Sequence, residues 1–148
     1  MKKLFLILVL ALTVFSFGCS DSGSGALEAD LLWTNGNIAG VQNGPTNPTV
    51  ITLEKDSRVV AIINYHYFND GEKPGTIGLI GSDGTKYGPW EAKGRVGQGD
   101  VKNAYWDVFP NLELKAGEYT VVDSDPSTWS QNDESDNVGF TEVRGNLV

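Results

Sequence analysis

The stretch richest in ligating oxygens is residues 123–137, DSDPSTWSQNDESDN. Asp123, Asp125, Asp133 and Asp136, with Glu134, Asn132 and Asn137 beside them, supply the oxygen-only ligands that a hard cation such as calcium gathers six to eight at a time. Asp123, Asp125 and Ser127 alternate, and Glu134 follows Asp123 by eleven positions, which is the outline of a helix–loop–helix calcium loop. Thr128 stands where that loop requires Gly for its sharp turn, and no helical pattern flanks the segment, so the EF-hand is excluded. An irregular calcium site built on the four aspartates is one reading. The other is an Asx-bonded turn at Asp-Ser-Asp-Pro followed by a solvated acidic loop.

Aromatic rings form the second group. Four Trp and five Tyr occur in the chain, and Trp90, Trp106 and Trp129 fall in loops or at strand ends. Flat rings there stack on sugar faces, while Asn, Gln and Asp read hydroxyls; packing in a core is the competing use of the same rings. Trp129, alone among polar neighbours, is expected to plug one end of the fold. Catalytic groups are sparse. His66 is the only imidazole, and a general base needs a nucleophile or carboxylate brought to it. Neither a Gly-x-Ser-x-Gly elbow nor a phosphate-binding glycine loop occurs. The chain therefore reads as non-catalytic. One Cys and one His exclude an intramolecular disulfide and a Cys/His zinc site. A formal charge of −8 opposes nucleic-acid binding.

The elements that must position these residues are strands. Apolar runs are short, rich in β-branched and aromatic residues, and bounded by Gly, Pro, Asn and Asp. Strands are expected within 31–41 and at 49–53, 58–69, 76–80, 85–90, 104–109, 112–114, 118–123 and 138–143. Asp83-Gly84 marks a hairpin, Pro110 breaks the strand before it, and 91–102 reads as a loop. In the 58–69 strand, Val59, Ala61, Ile63, Tyr65 and Tyr67 are apolar or aromatic throughout. Period 2 predicts that this odd set faces the core, with His66 on the opposite face. Gly117-Glu118-Tyr119 resembles the tyrosine corner of Greek-key sandwiches, whose hydroxyl bonds back to the main chain. The fold class expected is all-β: an antiparallel sandwich, jelly-roll or Greek-key-like, of about eight strands over 31–148.

Residues 1–18, MKKLFLILVLALTVFSFG, stand apart. Lys2 and Lys3 precede an uncharged apolar run at 4–15, whose helical length of about 18 Å falls short of a hydrocarbon core of about 30 Å. That is a secretory signal. With Gly18 before Cys19, the lone cysteine, the segment resembles a bacterial lipoprotein signal. The resemblance implies that Cys19 becomes the lipidated first residue of the mature chain, followed by a flexible tether over 19–30. Cleavage nearby without lipidation is the alternative. Loss of Lys2 and Lys3 takes the formal charge to −10. Ser20 after the cysteine favours outer-membrane delivery over the inner membrane.

A second resemblance covers about 37–132. It rests on Tyr87-Gly88-Pro89-Trp90, on Asn103-Ala104-Tyr105-Trp106 and on the run from Gly117 to Asn132. The chain there is similar to a recurrent extracytoplasmic domain of bacterial secreted proteins, a type without an assigned activity, so no catalytic residue carries over. Together these readings describe an envelope lipoprotein anchored at Cys19. Its sandwich binds a glycan or another envelope ligand through Trp90, Trp106 and Trp129, or serves as a structural or interaction lipoprotein with no small ligand.

Overall fold

A computed structural model describes residues 22–148. The signal segment, Cys19 and the first residues of the tether lie outside the described residues. Among the described residues twelve strands form, where about eight were expected: β1 (Asp30–Thr34), β2 (Gln42–Asn43), β3 (Val50–Leu53), β4 (Ser57–Tyr65), β5 (Thr76–Gly81), β6 (Lys86–Glu91), β7 (Lys93–Arg95), β8 (Tyr105–Val108), β9 (Leu112–Leu114), β10 (Gly117–Asp123), β11 (Ser130–Gln131) and β12 (Thr141–Leu147). A short helix, α1 (Ser22–Leu27), falls inside the expected tether. The segment after it is held by Arg144, which donates to the Ala29 carbonyl at 2.9 Å. Among the described residues no helix is long and apolar enough to cross a membrane.

The strands make an antiparallel β-sandwich. The larger sheet runs β1-β12-β4-β8-β7, with β9 continuing alongside the first half of β4; the smaller runs β3-β10-β5-β6. A two-stranded ribbon, β2-β11, joins distant loops. The core between the sheets is made by Ile51 and Leu53 from β3, Val59 and Ile62 from β4, Ile77 and Leu79 from β5, Trp106 and Val108 from β8, and Tyr119 and Val121 from β10.

Local chemistry sets several joints. In the β5-β6 hairpin Asp83 accepts the Thr85 amide at 2.8 Å, and Gly84 takes φ +84°. Pro110 separates β8 from β9, and Asn111 beside it adopts φ +45°. Tyr119 donates its hydroxyl to the Lys115 carbonyl at 2.9 Å, the corner expected of Gly-x-Tyr. Burial raises the Tyr119 phenol above its ordinary value, so it remains a donor. The stretch 91–102, read as a loop, contains β7. Its residues lack apolar alternation, and the strand forms because β8 offers a partner and because Gly94 allows close approach: a Cβ there would lie 2.0 Å from the Asn103 side-chain oxygen.

The main departure is the face of β4. On β12, Arg144 pairs with Ala61 and the next residue, Gly145, pairs with Val59. Val60 is thus an extra residue, a β-bulge, and the alternation shifts by one. Val59 points into the core as expected. Beyond the bulge it is Ile62, Asn64 and His66 that face inward, whereas Ile63, Tyr65 and Tyr67 face out. The odd-set expectation holds below the bulge and fails above it. Gly145 is needed there, since a Cβ would lie 2.1 Å from the Arg58 carbonyl oxygen. Gly145→Val should therefore lower stability by at least about 2 kcal/mol. Urea unfolding should show this as a lower midpoint with an unchanged slope; an unchanged midpoint would mean the bulge does not constrain β4.

Candidate functional site

The bulge gives the upper half of β4 two chemically different faces. On the inner face His66 is fully buried and stacks flat on Trp106, with ring centroids 3.7 Å apart and planes 10° off parallel. Its Nε2 lies 2.9 Å from Asp123 Oδ2. The same oxygen accepts the Asn64 amide at 2.7 Å, and Asn64 Oδ1 accepts the Thr141 hydroxyl at 2.7 Å. On the other side of the ring, Nδ1 lies 2.9 Å from Thr128 Oγ1, and that hydroxyl donates to Asp125 Oδ2 at 2.9 Å. Asp123 Oδ1 accepts the Asp125 amide at 2.8 Å. Hydroxyl, imidazole and carboxylate stand in the order of a nucleophile–base–acid relay. Two features deny that arrangement a substrate. The Thr128 proton is committed to Asp125, and His66 has no exposed surface. The network instead clamps the 123–128 turn, β4 and β12 together.

The outer face carries a cleft of about 520 Å³. Its floor is aromatic. Tyr65 contacts Tyr105 at 4.9 Å, Tyr67 at 5.9 Å and Phe140 at 6.4 Å between centroids. Phe68 meets Tyr67 edge-on at 4.9 Å. Tyr65, Tyr67 and Tyr105 are half-buried, with part of each ring open to the cleft. Burial, aided by the two neighbouring phenols, pushes the Tyr65 hydroxyl up to about 12, so it stays protonated and can donate. Arg95 lies 4.2 Å over the Tyr105 ring. Its two donors grip Asp107 at 2.7 and 3.0 Å, which raises the guanidinium above its ordinary value.

One wall is the loop 36–41. Asn37 and Asn132 exchange side-chain amide bonds at 3.0 and 2.8 Å, and Asn37 Oδ1 also accepts the Ala39 amide. Asn132 in turn caps the 3-10 turn Asp133–Ser135, accepting the Ser135 amide at 3.0 Å. The acidic segment thus serves the cleft indirectly, by pinning its wall.

The tryptophans expected to bind ligand lie away from the cleft. Trp106 is 2% exposed and Trp129 4%. Trp129 donates Nε1 to the Phe140 carbonyl at 2.9 Å and lies against Gly139, where a Cβ would fall 2.2 Å from the ring. Trp90 is half-buried on β6 against the core of the other sheet. None lines the cleft; large flat rings were drawn into the interior because burial rewards their area most.

The calcium set is dispersed as well. Asp123 faces His66, and Asp125 binds Ser127 and Thr128. Those hydrogen bonds, Ser127 first, hold the Asp125 carboxyl below the usual carboxylate range despite partial burial. Asp133 and Asp136 sit exposed on the 3-10 turn. Among the described residues no group of three or more His, Cys, Asp or Glu converges to hold a metal.

Sequence reasoning missed Tyr65, Tyr67 and Phe140 as cleft residues. Their spacing was visible, but the bulge alone decides which way they point. Asp123→Ala should strand His66 and Asn64 inside the core and cost about 3–5 kcal/mol. Thermal or urea unfolding measures it, and a loss within about 0.5 kcal/mol would show the clamp to be dispensable.

No family model matches the chain, and comparison with curated proteins and with solved structures finds no match; the chemistry of the cleft is accordingly read from its own residues.

Proposed function

We propose that this chain is a non-catalytic binding module of the bacterial envelope, anchored by lipid at Cys19, and that a glycan or another envelope ligand occupies the Tyr65–Tyr105 cleft. The observation that carries this reading is the cleft itself. Its volume of about 520 Å³ lies in the range of ligand pockets, about 300–1,000 Å³, and its make-up is an aromatic floor with a few polar groups at the rim. Asn37, Gln98, Thr34 and Glu142 supply amide, hydroxyl and carboxylate partners around the rings. Phenol rings with wet hydroxyls suit a face that must both stack and hydrogen-bond. The non-catalytic part is supported by the separation of chemistry from space: the imidazole and its carboxylate are sealed in the core, whereas the cleft is lined by tyrosines, amides and one carboxylate.

The binding reading is tested on a glycan array, followed by calorimetric titration of whatever binds. Tyr105→Ala should weaken that binding about tenfold, or about 1.4 kcal/mol, with urea unfolding of the variant separating this loss from the stability lost with the Tyr65 and Arg95 contacts. Absence of saturable binding across the array would favour a structural lipoprotein instead. The anchor has a separate test. Radiolabelled or click-reactive fatty acid should label the parent protein and not Cys19→Ser; equal labelling of both would remove Cys19 from the account.

A further inference from the structure

The pairing of strands around the cleft narrows the chemistry of its ligand. Tyr65 and Tyr105 are direct partners across β4 and β8, and Arg95 of β7 is the direct partner of Tyr105. Phe140, whose carbonyl accepts the Tyr65 amide at 3.2 Å, extends β12 at the same level. Four neighbouring segments therefore contribute Phe140, Tyr65, Tyr105 and Arg95 in one row across the outer face. One step along, Glu142 and Asp107 flank Ile63 on either side.

Charge is cancelled within this surface. Arg95 is held by both oxygens of Asp107. Glu142, the one charged residue lining the cleft, accepts from Arg144. Arg144 spends a second donor on the Ala29 carbonyl. Lys93, at the sheet edge, stands 5.9 Å over Phe109 and does not line the cleft. A charged ligand entering here would lose its hydration and find each nearby opposite charge already paired, a cost without compensation. A neutral, hydroxyl-rich ligand meets no such cost. It can lay its apolar faces on the phenols and its hydroxyls on Gln98 and the Tyr65 hydroxyl.

Resting on the proposed binding role, we infer that the cleft takes an uncharged oligosaccharide longer than one sugar ring and excludes acidic glycans. The length follows from the floor. Three half-exposed phenols, with Tyr65 touching both Tyr67 and Tyr105 and the exposed Phe68 at their end, offer more stacking surface than a single pyranose covers.

Calorimetric titration of the full chain with neutral hexose and N-acetylhexosamine mono-, di- and trisaccharides tests this against size-matched uronate oligomers. Affinity for the neutral series should rise at least about tenfold from mono- to trisaccharide, equivalent to 1.4 kcal/mol, and the uronates should bind at least tenfold more weakly than their neutral counterparts. Glu142→Gln, which takes from Arg144 its carboxylate partner beside the cleft, should strengthen uronate binding several-fold relative to neutral binding. Tighter binding of uronates by the parent protein, lost in Tyr105→Ala, would overturn the inference while leaving the binding role intact. Equal affinity for mono- and trisaccharide would overturn the length assignment. Failure of any carbohydrate, neutral or acidic, to bind would count against the binding role itself.

Discussion

One extra residue governs this molecule. The bulge at Val60, accommodated by Gly145 on the neighbouring strand, shifts the alternation of β4 by one position and exchanges the destinations of every side chain above it. Without the bulge, Tyr65 and Tyr67 would pack between the sheets and His66 would meet solvent. With it, three polar or apolar side chains that suit a tight interior go in, and the large amphipathic rings come out. A pleated strand admits no intermediate choice, because its side-chain period is two. The cleft and the buried clamp are therefore two consequences of a single backbone irregularity.

The clamp carries the larger energetic stake. Burying His66 with Asp123 removes polar and ionisable groups from water, a loss several times the net value of an ordinary hydrogen bond unless each group finds a partner. Here Asp123, Asn64 and Thr141 are bonded to one another and His66 is bonded on both ring nitrogens. The flat stack on Trp106 covers one face of the imidazole. Such a set is satisfied in only one register of β4 against β12 and the 123–128 turn. It discriminates against slipped pairings more strongly than the apolar core does, since Val, Ile and Leu tolerate neighbours of similar size.

The acidic segment shows how composition misleads when ligand density is taken for convergence. Its carboxylates are close in sequence but diverge in space. Asp123 ends a strand and turns inward, Asp125 folds back on its own turn, and Asp133 and Asp136 project from a 3-10 turn. Short polar side chains in an irregular segment are consumed first by the backbone and hydroxyl groups nearest to them, because those bonds require little further ordering of the chain. The segment's link to the cleft is structural: Asn132 is bonded to Asn37 on the cleft wall.

The sequence by itself determined whatever depends on neighbours within a few residues: the β class, the Asp83-Gly84 hairpin, the break at Pro110, the corner at Tyr119. In each, a φ restriction or a short-range hydrogen bond acts without reference to distant chain. Only the tertiary structure decided the face of β4, the existence of β7, the burial of Trp106, and hence the cleft. Those outcomes rest on pairings between residues as distant in sequence as Ser57 and Leu147. The bulge is admitted only because Gly145 lets the Arg58 carbonyl pass beside it, and Lys93-Gly94-Arg95 becomes a strand only because β8 is there to pair with. Period-2 patterning identifies a strand from its own residues, but the face it buries depends on register, and register belongs to the partner strand.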